Sequence, residues 1–138
     1  MIIDAVKKFF ETKCDLLVGK KLAVNMLGEK AHSCTIETVP CVPIIRKYAD
    51  GGSLRQFVFV IATREYFDKA TMEQLNTNIF YEQLAEWIEQ CNTDNTLPEL
   101  EPGKRAIGWE ILSGGYLYDV DAPKARYQIQ LRLIYEKA

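Results

Sequence analysis

Residues 2–13 carry apolar side chains at helical spacing. Ile3, Val6 and Phe10 recur in steps of three and four, and Ile2 and Phe9 widen the stripe. Lys7, Lys8, Glu11 and Lys13 supply the polar side, and Gly19 beyond is a natural stop or turn. A helix is predicted there. From Ser33 to Val39 the pattern changes to alternation, with Cys34, Ile36 and Thr38 on one face; this predicts a strand halted by Pro40 and again by Pro43. A short extended run, Ile44 to Tyr48, follows. Asp50-Gly51-Gly52 is the clearest turn signal, because Gly takes the positive φ of tight hairpins. Leu54 to Thr63 then reads as the strongest strand. Phe57, Phe59 and Ile61 share one face and Val58, Val60 and Ala62 the other, so a central strand covered on both sides is expected.

A second helix is predicted over 77–91, with Thr77 or Asn78 as N-cap and Glu82 in the early turns, where the helix dipole favours acid. Phe80, Leu84, Trp87, Ile88 and Cys91 form its apolar stripe, with Glu82, Gln83, Glu86, Glu89 and Gln90 facing out. Asn92 to Glu101, with Pro98 and then Pro102-Gly103, reads as a loop. Ile107 to Leu117 reads as a strand with a bulge or bend at Gly114-Gly115. Asp119 to Lys124 is the predicted turn. Ala125 to Tyr135 alternates cleanly: Tyr127, Ile129, Leu131, Leu133 and Tyr135 against Gln128, Gln130 and Arg132. That marks an antiparallel strand with one face in the core. The pattern as a whole predicts one α+β domain over residues 1–138, a mostly antiparallel sheet with two main helices packed on it.

The chain has 138 residues, 48% hydrophobic and 26% charged, enough for a real core without staples. No apolar run reaches the ~18 residues that span a bilayer. The first residues lack the order of a signal peptide, so a cytoplasmic protein is expected. Cys14, Cys34, Cys41 and Cys91 are widely spaced with no Cys-x-x-Cys, which favours small core residues over a disulfide framework. Net charge is −2, but nine acids face one base, Lys69, between Glu65 and Glu101. Such a stretch repels phosphates and argues against nucleic-acid binding there. It is a solvated acidic face, a docking face for a basic surface, or a lumen wall that must not hold DNA.

Candidate chemistry is sparse. His32, Cys34 and Cys41 are the only soft-ligand cluster; they number three and lack paired zinc spacing. His32, the single histidine, would have to serve any nucleophilic pair, and no Gly-x-Ser-x-Gly elbow is present. Asp119, Asp121 and Glu110 could gather around a divalent ion, but aspartates are ordinary turn formers. Asp50-Gly51-Gly52-Ser53 and Ser113-Gly114-Gly115 lack the strand-to-helix context and Lys of a phosphate loop. No catalytic residue, metal or cofactor is expected, and a small enzyme or ligand-binding domain is the least favoured reading.

Several segments together carry a resemblance: Met1-Ile2-Ile3-Asp4-Ala5-Val6, Val39-Pro40-Cys41-Val42-Pro43-Ile44-Ile45, Asp50-Gly51-Gly52-Ser53-Leu54-Arg55-Gln56-Phe57, Phe80-Tyr81-Glu82, Trp87-Ile88-Glu89, Ser113-Gly114-Gly115-Tyr116-Leu117-Tyr118 and Ala125-Arg126-Tyr127-Gln128-Ile129-Gln130. They resemble small phage and prophage proteins of Gram-positive hosts, encoded among head–tail genes and described as minor capsid proteins. The order helix, strands, helix, strands is also similar to the tail terminators of long-tailed phages. These form a hexameric ring that stops growth of the tail tube and offers a surface to the head. The resemblance implies a tail-terminator-like fold and a structural virion protein. Its implied partners are copies of itself, tail-tube protein and head–tail connector protein, with no membrane and no sequence-specific nucleic acid. It implies the host cytoplasm during assembly and then the virion. The alternative is a minor capsid or head–tail adaptor role. A ring needs two different faces per subunit; the candidate assembly surface is Glu82, Glu86, Glu89, Gln128, Gln130 and Arg132. Lys47 to Leu54 and Asn92 to Arg105 are candidate loops toward a lumen.

Overall fold

The computed structural model describes residues 1–17, 22–25, 33–66, 71–121 and 124–138, with side chains described for these apart from 66, 71–76 and 121. The first helix, α1, spans Ile2–Lys13 as the periodicity predicts, and buries Ile3, Val6, Phe9 and Phe10. Lys7 and Glu11, one turn apart, pair at 2.8 Å on its outer side. It ends where Cys14 turns to extended backbone (φ −88°, ψ 109°) while its N–H still reaches the Phe10 carbonyl.

The strands are β1 (Ala23–Val24), β2 (Ser33–Thr38), β3 (Ile44–Lys47), β4 (Ser53–Tyr66), β5 (Lys104–Asp121) and β6 (Lys124–Lys137), with α2 (Thr71–Asp94) between β4 and β5. They form one sheet in the order β1-β2-β4-β6-β5, with β3 beside β4. All described pairings are antiparallel except β1 with β2. β4 is central: β6 takes one side along its whole length, and β2 and β3 share the other. The protein is therefore α+β.

Both helices lie on one face of the sheet. Phe59 and Ile61 of β4, Ile36 of β2 and Ile129, Leu131 and Leu133 of β6 face them. An aromatic cluster joins the layers: Phe9 and Phe10 of α1 each sit 5.3 Å from Trp109 of β5, with Trp87 of α2 5.6 Å from Phe9. Fully burying one such side chain contributes roughly 1.5–3 kcal/mol.

β4 is covered on both sides as expected: Val58, Val60 and Ala62, on its second face, are buried beneath long polar side chains of neighbouring strands and not beneath a described helix. Three expectations are corrected. α2 begins at Thr71, so Thr77 and Asn78 are interior residues and not its cap. Capping preference is a local signal, and nothing in it prevents a helix from running through Thr or Asn. α2 also continues past Cys91 to Asp94. There Asn95 adopts φ 57° and the Thr96 N–H returns to the Cys91 carbonyl at 2.8 Å, closing a Schellman-type end. Finally, β5 is 18 residues long, and Asp119, Val120 and Asp121 pair with Arg126, Ala125 and Lys124. The predicted turn at 119–124 is mostly ladder.

The irregularity expected at Gly114-Gly115 is present, one of four register shifts along β5. The Asp50-Gly51-Gly52 hairpin is present too. Gly51 has φ 93°, and the Asp50 carboxylate accepts the Gly52 N–H at 2.9 Å.

Candidate assembly surface

On α2, Tyr81, Leu84, Ile88 and Cys91 are buried, which turns Glu82, Glu86 and Glu89 to solvent. Spaced four and three apart, these acids form one ridge, and none has an ion-pair partner among the described residues. Like charges at these spacings cost an isolated helix roughly 0.2–0.5 kcal/mol per pair. Packing on the sheet holds α2 despite that repulsion.

The open sheet face is built differently. Arg126 of β6 makes a bidentate pair with Glu37 of β2 at 2.9 and 3.0 Å. The same guanidinium donates to Gln128 Oε1, whose amide in turn donates to the Tyr116 hydroxyl of β5. The Tyr118 ring lies 5.0 Å from Arg126. Further along, Arg132 donates to Gln56 Oε1 at 2.9 Å and to Glu110 Oε2 at 2.6 Å. This lattice spans β2, β4, β6 and β5, and roofs Val58, Val60 and Ala62. Gln128 is consequently buried, while Gln130 and Arg132 are half-buried.

The six candidate residues thus fall into two sets on opposite sides of the sheet. Glu82, Glu86 and Glu89 stand free in solvent, whereas Gln128 and Arg132 are already engaged within the chain. The two candidate lumen loops meet at one end. Ser53, Lys137 and Lys104 lie in one row across β4, β6 and β5, which sets the Gly51-Gly52 and Pro102-Gly103 turns side by side. A 390 Å³ groove lined by Tyr48, Asp50, Lys104, Arg105, Glu136 and Lys137 lies between them.

The ligand candidates separate. His32 lies outside the described residues. Cys34 is in the core and Cys41 is exposed after β2. Glu110 is held by Arg132, and the Asp119 carboxylate accepts the Val120 N–H at 2.9 Å; the Asp121 side chain lies outside the described set. Among the described residues no group of three His, Cys, Asp or Glu could hold a metal. Burial pushes the Tyr81 hydroxyl well above its usual range, and that hydroxyl bonds to the Thr63 Oγ1 and the Tyr127 carbonyl. Among the described residues no helix is long and apolar enough to cross a membrane.

Sequence reasoning missed three features. The Asn92 amide makes two 2.8 Å bonds to the backbone N–H and carbonyl of Trp109, standing in for a missing neighbour strand. A 670 Å³ groove runs between α1 and the segment Leu97 to Glu101. The segment Val39 to Ile45, tied along β4, exposes apolar side chains, with Val42 72% exposed; its seven residues without a charge were the available signal. No protein-family model and no curated protein matches the chain.

Proposed function

We propose that this chain is a structural protein of a phage or prophage virion, a tail terminator or tail completion protein that forms a ring, caps the tail tube and joins it to the head. The observation that carries the reading is the division of the molecule into two unlike faces. An unpaired acidic ridge lies on α2, and a cross-braced polar face lies on the far side of the sheet. Subunits that close into a ring meet through two different surfaces, and a ring beside DNA is served by acidic rather than basic groups. The α+β order and the segments resembling head–tail proteins agree with this reading.

Light scattering over a concentration series, alone and with purified tail-tube protein, tests it. The expected result is a closed oligomer or a complex that stops tubes at fixed length. A chain that stays monomeric and leaves tube growth unchanged would sink it. Binding to connector protein instead of tubes would identify a head–tail adaptor.

A further inference from the structure

We infer that the corner of the sheet formed by Lys47, Arg55 and Lys137 is a docking surface for the α2 ridge of a second copy of this chain. The inference rests on the ring reading and names its contact. Strand register builds the corner. Lys47 of β3 lies opposite Ser53 of β4, and Ser53 lies opposite Lys137 of β6, so these side chains share one face of the sheet. Arg55, two residues along β4, shares that face and stands between the two lysines. Lys47 and Lys137 are exposed, and Arg55 is half-buried. Arg55 donates to the Ser53 hydroxyl at 2.9 Å, and none of the three bases has an acid partner among the described residues.

The corner keeps a positive balance. Glu136 beside it pairs with Arg105, and Glu101 pairs with the Met1 amine at 2.6 Å and with Lys104 at 3.6 Å. Two acids carry no ion pair there: Asp50, whose carboxylate accepts the Gly52 N–H, and the Ala138 carboxylate next to Lys137. Against them stand Lys47, Arg55, Lys137 and the exposed Arg46, all without an ion pair among the described residues. A half-buried guanidinium flanked by two lysines favours a partner that brings carboxylates.

The α2 ridge supplies them at the matching spacing. Glu82, Glu86 and Glu89 are exposed, and no ion pair joins them to the corner within the chain. Seven residues of helix separate Glu82 from Glu89 by ~10 Å. Lys47 and Lys137, on strands either side of β4, are also ~10 Å apart. Glu86 then falls opposite Arg55. Exposed isoleucines extend both strips: Ile79, three residues before Glu82, and Ile45, two residues before Lys47, are 47% and 44% exposed. Every copy carries both strips and neutralises neither, so charge complementarity selects a second copy as the occupant. The contact joins two different surfaces and is therefore heterologous, and the assembly propagates until it closes. The ridge then faces a neighbouring subunit and not a lumen.

Charge reversal and its rescue test the contact, because the lysines and the ridge acids are exposed and circular dichroism can verify each fold. One variant carries Lys47→Glu and Lys137→Glu, a second carries Glu82→Lys and Glu89→Lys, and a third carries all four changes. Assembly is read by light scattering over a concentration series, alone and with purified tail-tube protein. Each reversal alone should raise the concentration of half-assembly about tenfold or more, and the third variant should return it close to wild type. Added sodium chloride should weaken the wild-type oligomer. An oligomer that both reversals leave unchanged, or that the third variant fails to restore, overturns this contact and leaves the ring reading standing. Loss of binding to a short DNA duplex in the first variant, with self-association unchanged, would assign the corner to phosphates and overturn the inference. Rescue in a protein that never caps tail tubes supports the contact and overturns the terminator reading. Monomers at every concentration, with and without tubes, overturn both.

Discussion

Gly115 and Tyr81 fix how closely α2 lies on β5. A Cβ at Gly115 would fall 2.3 Å from the Tyr81 Cβ, whereas one at Gly114 would meet nothing within 4 Å. Gly115→Ala should therefore lift the helix from the strand and destabilise by about 2–3 kcal/mol. Gly114→Ala should stay within about 0.5 kcal/mol. Urea unfolding of the two variants checks the contrast. The pair of glycines was legible in the sequence as a bend, but which of them carries α2 was not, since that depends on a residue 34 positions away. The cysteines are the second case. Burial pushes the Cys14 and Cys91 thiols up, Cys91 to about 11. With maleimide at pH 7–8, one thiol in four should react fast, and Cys41→Ser should abolish that phase. Below pH 9 folded and unfolded chains both keep these protons. Between pH 9 and about 11 the unfolded chain releases them first, so stability should fall as pH rises through that window. Urea midpoints across the window test this, and Cys91→Ala should flatten the slope.

At the scale of elements, strand interiors and the first helix followed from period alone, while ends did not. α2 overran both predicted limits. Its C-terminus is decided by Asn95 in the left-handed region (φ 57°) and the return bond from Thr96. Asn95→Gly should keep or slightly raise stability, and Asn95→Ala should cost about 1 kcal/mol, read from thermal or urea midpoints. β5 shows a related device. As an edge strand of 18 residues it would invite pairing with other chains, but four register shifts and the Asn92 amide on Trp109 interrupt its free edge. That disfavours strand addition at β5. The Arg126–Glu37 bridge joins residues 89 apart in sequence and strands separated by β4, so no local pattern announced it.

At the scale of the whole molecule, the acidic ridge of α2 and the exposed apolar side chain of Val42 are two described surfaces of opposite chemistry. Salt separates them. A contact made by Glu82, Glu86 and Glu89 should weaken as salt is added, because exposed charges more than ~10 Å apart are screened at 0.1 M. A contact made through Val42 should persist or strengthen in sulfate. Light scattering of any oligomer in low salt, sodium chloride and sulfate therefore distinguishes the two. Loss of such an oligomer in sulfate would count against a contact through Val42.

The sequence by itself determined the α+β class, α1 to the residue, the inward set of β6 and the hairpin at Gly51-Gly52. Each follows from periodicity or from one residue's own backbone freedom. It also determined that Glu82, Glu86 and Glu89 face away from the core, because helical spacing places them opposite Leu84 and Ile88. Only the tertiary structure decided that both helices share one face of the sheet, and that polar side chains roof Val58, Val60 and Ala62. It alone placed the exposed Val42 segment and the groove beside α1 on opposite sides of β4. Those features depend on which strands become neighbours, and neighbourhood between distant segments is set by the packing of the whole chain.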